Sequence, residues 1–509
     1  MSDKLKKQGR QTTRWESDDC IVPLKLADRA SGSKPGNSGA GKAVRPSRET
    51  SGTPPAPSGG RSVLDRLDRI TRRAGTHRDE VFNNLFSLLN YEMLWHAFRK
   101  LKRNKAPGVD GVTVDQYEEN LQENLQDLLT RLHRGSYHPQ PSLRQDIPKG
   151  DGKTRPLGIA CVEDKIVQRA VVMILERIYE VDFCDTSYGF RPGRSCHQAL
   201  SMLGQIISTK RVNFILDADI AGFFDHVCHE QLVELLRQRI SDPKMLSLIE
   251  RFLQAGVMIG GRRQDTDEGV PQGSVLSPLL SNVYLHYVLD QWFERDVKPR
   301  LRGEAYIIRY ADDFICAFEL ERDAERFHEV LSKRLARFSL KLAEEKTKLL
   351  RFGRFARQYY QRRGEGAPGT FDFLGFTHYC GRSRAGKFKL KRRTAKKKFK
   401  AKVRDLKNWF HQHLTTPLSE VWETLNAKLR GHYQYYGVND NWPMLEVFRQ
   451  QTKRLAFRWL NRRSQSKSKT WKEFYAYIDR HGLASPTKLT DLIAMARAPR
   501  QAMLQFGDK

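Results

Sequence analysis

Between Ala305 and Phe318, two short apolar, aromatic-rich runs flank Tyr310-Ala-Asp-Asp313, a pattern that predicts strand, tight turn, strand with two carboxylates at the tip. An isolated Asp-Asp is commonly a solvated turn, because short acids build turns readily. A second segment changes that reading. Val212 to Ile220 is an apolar run broken only by Asn213, Asp217 and Asp219, and it leads into Ala-Gly-Phe-Phe-Asp225. The period-two geometry of a strand puts Asp217 and Asp219 on one face. A buried, unpaired carboxylate costs several kcal/mol or shifts its pKa, so a divalent metal or a buried Arg or Lys must compensate. If the hairpin pairs beside this strand, Asp219 and Asp312 meet.

The charge balance points to the partner. Lys plus Arg is 89 and Asp plus Glu 59, a formal net charge of +30, which calls for a polyanion, nucleic acid before a membrane surface. No apolar run approaches the roughly 18 residues of a spanning helix, and the start is Lys-rich and polar, so neither a transmembrane segment nor a signal peptide is expected. The seven cysteines are scattered and never spaced as C-x-x-C. That argues against a disulfide framework and a structural zinc site, and it fits a reducing cytoplasm.

Along the 509 residues, about three domains are expected. Gly, Ser and Pro fill 18 of the 30 positions from Ser31 to Gly60, so residues 1–60 form a leader expected to be disordered. Helices are predicted from Arg61, over Val81 to Leu101 and over Val114 to Leu132. Ile147 to Gly158 reads as a glycine-rich basic hairpin, with Lys149, Lys153 and Arg155 placed to meet a triphosphate. Ser187 to Ser195 carries Arg191 and Arg194 in a Gly/Pro turn, where phosphate contact and structural packing are equally open. His226, Cys228 and His229 lie close together without metal-ligand spacing and read as ordinary helix-start residues. Gly269-Val-Pro-Gln-Gly273 is a turn of small residues opening a helix, which lets a ligand approach the backbone.

From Arg382 to Lys407 there are 14 Lys or Arg and one acid, Asp405. Phe399, Val403, Leu406 and Phe410 recur at helical spacing there, so the segment reads as an amphipathic helix with a core side and a basic side. Leu418 to Tyr436 and Met444 to Arg463 complete a helical bundle, in which Leu429 to Tyr436 interleaves aromatic and basic residues in a way that suits RNA, although a Tyr in helical register is more often core. The tail beyond Trp471 adds little, and no internal repeat is present.

These parts describe phosphoryl transfer. Two metal ions about 3.5–4 Å apart can activate a 3′-hydroxyl and steady a leaving pyrophosphate. Carboxylates from two strands could hold them while a positive bundle grips a long polyanion.

Asp219-Ile-Ala-Gly-Phe-Phe-Asp225, Val270-Pro-Gln-Gly273 and Tyr310-Ala-Asp-Asp313, in that order, resemble the palm of a reverse transcriptase. Lys105-Ala-Pro-Gly-Val-Asp-Gly111, Arg155-Pro-Leu-Gly158, Ser187-Tyr-Gly-Phe-Arg-Pro-Gly193 and Phe371-Asp-Phe-Leu-Gly-Phe376 narrow the resemblance to the group II intron-encoded reverse transcriptase/maturase family, over roughly residues 61–465. The resemblance implies an α/β right-hand polymerase, fingers and palm over 61–380, followed by an all-α thumb/maturase bundle over 381–470 and a short tail over 471–509. It implies Asp219, Asp312 and Asp313 as palm carboxylates, with two Mg2+ ions held by Asp219 and Asp312 and the backbone carbonyl of Ile220. Lys149 and Arg155 would grip the incoming deoxynucleoside triphosphate and Gln272 would contact it. Phe224 matches the gate that rejects a ribose 2′-hydroxyl, and Lys346 a lysine near the leaving pyrophosphate.

The implied partners are group II intron RNA, an RNA template and a DNA primer or target, in a bacterial-type cytoplasm with RNA and nucleoid DNA; the oligomeric state is not readable. Many family members end in a zinc-supported nuclease domain, and the absence of Cys beyond Cys380 leads us to expect none here. Two other readings stay open at this point: a non-enzymatic RNA-binding splicing factor, and a domesticated reverse transcriptase in defence or repair.

Overall fold

The computed structural model describes residues 62–148, 154–463, 468–487 and 489–497. The leader over 1–60, and Lys149 and Lys153 at the tip of the basic hairpin, lie outside the described residues.

Among the described residues there are eleven strands: β1 (Ser142–Pro148), β2 (Thr154–Ile159), β3 (Phe214–Asp219), β4 (Val257–Ile259), β5 (Arg262–Gln264), β6 (Ala305–Tyr310), β7 (Asp313–Phe318), β8 (Lys348–Arg351), β9 (Phe371–Phe373), β10 (Phe376–Arg382) and β11 (Phe388–Thr394). They form three sheets. The central one runs β6-β7-β3-β8, entirely antiparallel; the others run β2-β1-β4-β5 and β11-β10-β9.

The central sheet is covered on both faces, and its alternation sorts the side chains. Phe214, Leu216 and Ala218 of β3 enter one hydrophobic core with Phe314, Cys316 and Phe318 of β7. Ile215, Ile315 and Ala317 enter a second core with Phe371, Phe376 and the C-terminal helices. Asp217, Asp219 and Asp313 therefore belong to the face turned toward the C-terminal half, at the end of the sheet where the apolar packing stops. The first core is built around the helix Val162–Asp182, buried on nearly all sides and hence apolar around most of its circumference.

Several boundaries differ from the sequence reading, each for a local reason. Val81 to Leu101 is helical only over Phe86–Leu88, a 3₁₀ turn, and Tyr91–Arg99, because Asn84 takes φ +56° and Phe82 is drawn into a bridge with Ile240. Val114 to Leu132 is two helices, Val114–Glu119 with a Thr113/Gln116 capping box and Leu121–Arg134 closed by left-handed Gly135 at φ +77°.

The basic run beginning at Arg382 is not helical throughout. Its first part is the β10–β11 hairpin, and the helix Lys396–Gln412 starts only past Thr394. Helices Leu418–Tyr436 and Trp442–Arg462 follow as expected. The tail is more than an appendage: Phe474 of the helix Trp471–His481 is fully buried, and Ser201 donates to the Leu492 carbonyl at 2.6 Å.

Candidate active site

The antiparallel register places Asp219 of β3 directly opposite Asp313 of β7. Tyr310 pairs with the same Asp313 from β6, leaving Ala311 and Asp312 as a two-residue hairpin turn. Ala311 sits at φ +57°. A Cβ in that region costs about 1–2 kcal/mol, so the surroundings must impose it.

They do so through Arg309, whose side chain is fully buried. Its Nε and Nη2 donate to the two Asp290 carboxylate oxygens at 2.8 and 2.6 Å, and its Nη1 donates to Asn282 Oδ1 at 3.0 Å and to the Ala311 carbonyl at 2.9 Å. Asn282 in turn donates to the Gly189 carbonyl at 2.7 Å. Gly189 lies so close that a Cβ there would stand 2.3 Å from the Ala311 nitrogen. The glycine of the Ser187–Gly193 loop is therefore required by contact with the acidic turn.

The acids are electrostatically crowded. Burial raises the Asp312 pKa, the Asp219 charge raises it further, and the Arg155 and Arg309 charges oppose the rise. Asp217 is pushed up to about 7, first by burial and then by repulsion from Asp372 and Asp219, with Lys348 opposing. Lys346 Nζ donates to Asp219 Oδ2 at 2.7 Å, and that bond, ahead of all other causes, raises the lysine pKa. Beyond β3 the chain stays in an antiparallel bridge, Ile220 opposite Leu342. The bonds flanking it run from Ala343 N to the Asp219 carbonyl and from Ala221 N to the Lys341 carbonyl, each 2.8 Å, so the Ile220 carbonyl is not engaged in them.

A second wall stands beside the acids. Left-handed Gly222 turns the chain after Ala221 so that Phe224, half-buried against Phe223, faces the Gly269–Gly273 turn. Val270 N donates to the Phe224 carbonyl at 2.7 Å, and a Cβ on Gly269 would meet that carbonyl oxygen at 2.9 Å. The Gln272 carbonyl accepts from Gly158 N at 2.6 Å, while its side-chain amide reaches Asp225 at 3.4 Å. A Cβ on Gly273 would stand 2.6 Å from the Gly158 carbonyl, so glycine there lets β2 close on the turn. Arg155, exposed on β2 opposite Ile147, is carried to where its charge acts on Asp312.

Residues 147–378 match the family described as reverse transcriptase (RNA-dependent DNA polymerase), and residues 396–477 match the group II intron maturase-specific domain. Over these residues the chain thus carries a reverse transcriptase domain followed by a group II intron maturase-specific domain.

The group II intron-encoded protein LtrA of Lactococcus lactis is 35% identical over 302 residues, 57% of this chain and 50% of the relative. Protein YkfC of Escherichia coli is 39% identical over 237 residues, 41% of this chain and 62% of the relative. The putative COX1/OXI3 intron 2 protein of Saccharomyces cerevisiae is 31% identical over 323 residues, 62% of this chain and 35% of the relative. The first of these matches thus spans half the relative's own length.

Reverse transcriptases use divalent metal ions, and the donor set of this chain suits a hard cation: two carboxylates and, from Ile220, one carbonyl outside the flanking ladder bonds, all oxygen. Among the described residues no three His, Cys, Asp or Glu side chains enclose a metal position, and Asp219 is turned to Lys346. The two observations agree if the protein supplies only part of the coordination sphere and substrate phosphates and water the rest, as is usual for magnesium in nucleotidyl transfer.

Other polar residues turn out to be structural. Arg191 is buried, bound to Glu180 at 3.1 Å and to the Cys184 and Ser187 carbonyls at 2.8 Å, which decides for packing over phosphate contact. Arg194 pairs with Asp185 at 3.0 Å. His229 bonds the Gly269 carbonyl at 2.6 Å and His226 pairs with Glu268 at 3.5 Å, so neither joins a metal cluster. Sequence reasoning missed Arg309, Asp290 and Asn282. A cation inside an otherwise apolar strand demands compensation as much as an acid does, and Arg309 carried that signal.

Proposed function

We propose that this protein is an RNA-directed DNA polymerase that also binds group II intron RNA, promoting its splicing and its movement to new DNA sites by target-primed reverse transcription. The observation that carries the reading is the pairing of Asp219 opposite Asp313, with Asp312 at the adjoining turn. Fingers and palm occupy residues 61–380 and the thumb/maturase region 381–470, with 471–509 as a tail docked through Phe474; the leader is 1–60.

Asp219 and Asp312, with the Ile220 carbonyl, would hold two Mg2+ ions, which when bound lower the barrier by activating the primer 3′-hydroxyl and neutralising the leaving pyrophosphate. Asp313 completes the acidic cluster from the adjacent strand. Arg155, together with Lys149, grips the triphosphate of the incoming deoxynucleotide; its position on the β2 wall supports this. Gln272 contacts the nucleotide from the turn. Phe224 presents a ring to the sugar and excludes a 2′-hydroxyl by steric contact. Lys346 exchanges its bond to Asp219 for the leaving pyrophosphate, bringing the positive charge that a lysine carries at neutral pH. The basic face of the helix Lys396–Gln412 and its neighbours binds intron RNA. Its place of action would be beside RNA and nucleoid DNA in a bacterial-type cytoplasm; no helix among the described residues is long and apolar enough to cross a membrane.

The test is primer extension on an RNA template with deoxynucleotides and Mg2+, run beside a splicing assay with intron RNA. Extension that disappears in Asp312→Ala while splicing persists supports a polymerase whose splicing role lies in its RNA-binding surface. Splicing without extension by the folded native protein replaces the enzyme with a splicing factor.

A further inference from the structure

At the end of the central sheet opposite the acids lies a cleft of about 470 Å³, lined by Arg351, Phe355, Gln358, Tyr359, Arg362 and Arg363 among others. Phe214 begins β3 and pairs with Arg351, whereas Asp219 ends it. At about 3.3 Å per residue the cleft is on the order of 17 Å from the carboxylates along the strand.

We infer that this cleft is a binding site for one unpaired nucleotide of single-stranded RNA, its base stacked on the Phe355–Tyr359 side and its phosphate held by Arg362 and Arg363. The assignment rests on the proposed RNA-binding role and adds a subsite outside the polymerase centre.

Three observations carry it. First, residues 351–363 contain five arginines and no acid, with Phe352, Phe355, Tyr359 and Tyr360 interleaved. A cleft lined by cations and aromatic faces suits a base with its phosphate. Second, the aromatic floor is already built. Arg351 lies 4.5 Å from the Phe214 ring centre and 3.8 Å from that of Tyr359, and is anchored to Glu321 at 2.8 Å. Arg363 bonds the Tyr359 hydroxyl and pairs with Glu365 at 3.1 Å. Gly353 holds the segment against the residues that lead into β3: a Cβ there would stand 2.2 Å from the Val212 carbonyl.

Third, the rim is uncommitted. Phe355 is 58% exposed, a large ring kept in water, and Arg362, unlike Arg351 and Arg363, makes no ion pair among the described residues. If these residues only braced the sheet edge, as Arg351 does, both would be expected to fold inward. The cleft is too small for a duplex, which selects a single strand, and no carboxylate lines it, which disfavours a basic peptide.

The experiment uses the full chain and a dodecamer of adenosines bearing one central 4-thiouridine. After irradiation and digestion, adducts are mapped by mass spectrometry. An adduct within residues 351–363 is expected, falling about tenfold or more in Phe355→Ala. Arg362→Ala is expected to flatten the slope of log K against log salt by about 0.7, one phosphate contact on a single strand. Both variants should extend a short primer–template hybrid at the native rate. Adducts confined to other segments, or an unchanged adduct in both variants, overturn the inference. Loss of extension in the native protein is a separate result that bears on the polymerase reading.

Discussion

Arg309 and Asp290 form a bidentate ion pair, 2.6 and 2.8 Å, with both side chains 1% exposed, directly beneath the turn that carries Asp312. Such a pair adds little net stability over an apolar substitute, yet breaking one half of it leaves a charge stranded and costs about 3–5 kcal/mol. Its position explains its presence: the same guanidinium holds the Ala311 carbonyl and so fixes the turn. Asp290→Asn is therefore expected to lower stability by that amount in chemical denaturation. Arg309→Met with Asp290→Leu should cost much less than the two single changes summed, while extension stays at least tenfold below native because the Ala311 bond is gone.

Ala311 itself offers a cleaner test of imposed strain. Replacing it with glycine removes the Cβ penalty at φ +57° and should stabilise the protein by about 0.5–1 kcal/mol. Ala311→Val, β-branched in the same conformation, should destabilise it. Denaturation midpoints of the two variants, read against the native protein, check the sign of both.

Phe224→Ala is expected to admit ribonucleotides. The Phe224 backbone is held against the Gly269–Gly273 turn five residues after Asp219, and removing the ring is expected to open room for a 2′-hydroxyl. Discrimination between deoxy- and ribonucleoside triphosphates, measured as a ratio of kcat/KM values in primer extension, should fall by an order of magnitude, about 1.4 kcal/mol. An unchanged ratio would remove Phe224 from the gate.

Asp217 predicts a pH dependence. Its pKa is raised in the folded protein to about 7 from about 4 in an unfolded chain. The folded state thus binds the proton more tightly, and this group's contribution to stability is complete below about pH 4 and is lost as pH rises toward 7. Asp217→Asn should be nearly equal to native at pH 4 and increasingly the more stable of the two up to pH 7. Thermal denaturation across that range in the presence of a chelator checks it, and a gap that closes with rising pH would contradict the assignment.

The acidic cluster was legible because its signals are local. Alternation in β3, β6 and β7 is carried by consecutive residues, an acid inside an apolar strand needs compensation wherever it occurs, and a two-residue turn follows from the spacing between two runs. The same locality explains the misreadings. Lys and Arg favour helix by propensity, so the run from Arg382 reads as one, whereas Phe388 and Leu390 alternate with lysines at period two and pair β11 with β10, which in turn pairs with β9. The tail was dismissed because its anchors are distant: Ser201 for Leu492, and a core of several helices for Phe474.

By itself, then, the sequence determined which residues are acidic at a strand end, which turn is small enough to lie beside them, and that the chain must meet a polyanion. Only the tertiary structure decided what compensates the buried charges. Asp290 is 19 residues from Arg309, and Asn282, which bonds it, donates to Gly189 93 residues away. Either buried arginine of this region could have been a phosphate ligand. Arg191 became a packing element and Arg309 the support of the turn because desolvation makes a buried guanidinium take every nearby oxygen, and which oxygens are near is decided by how the chain packs.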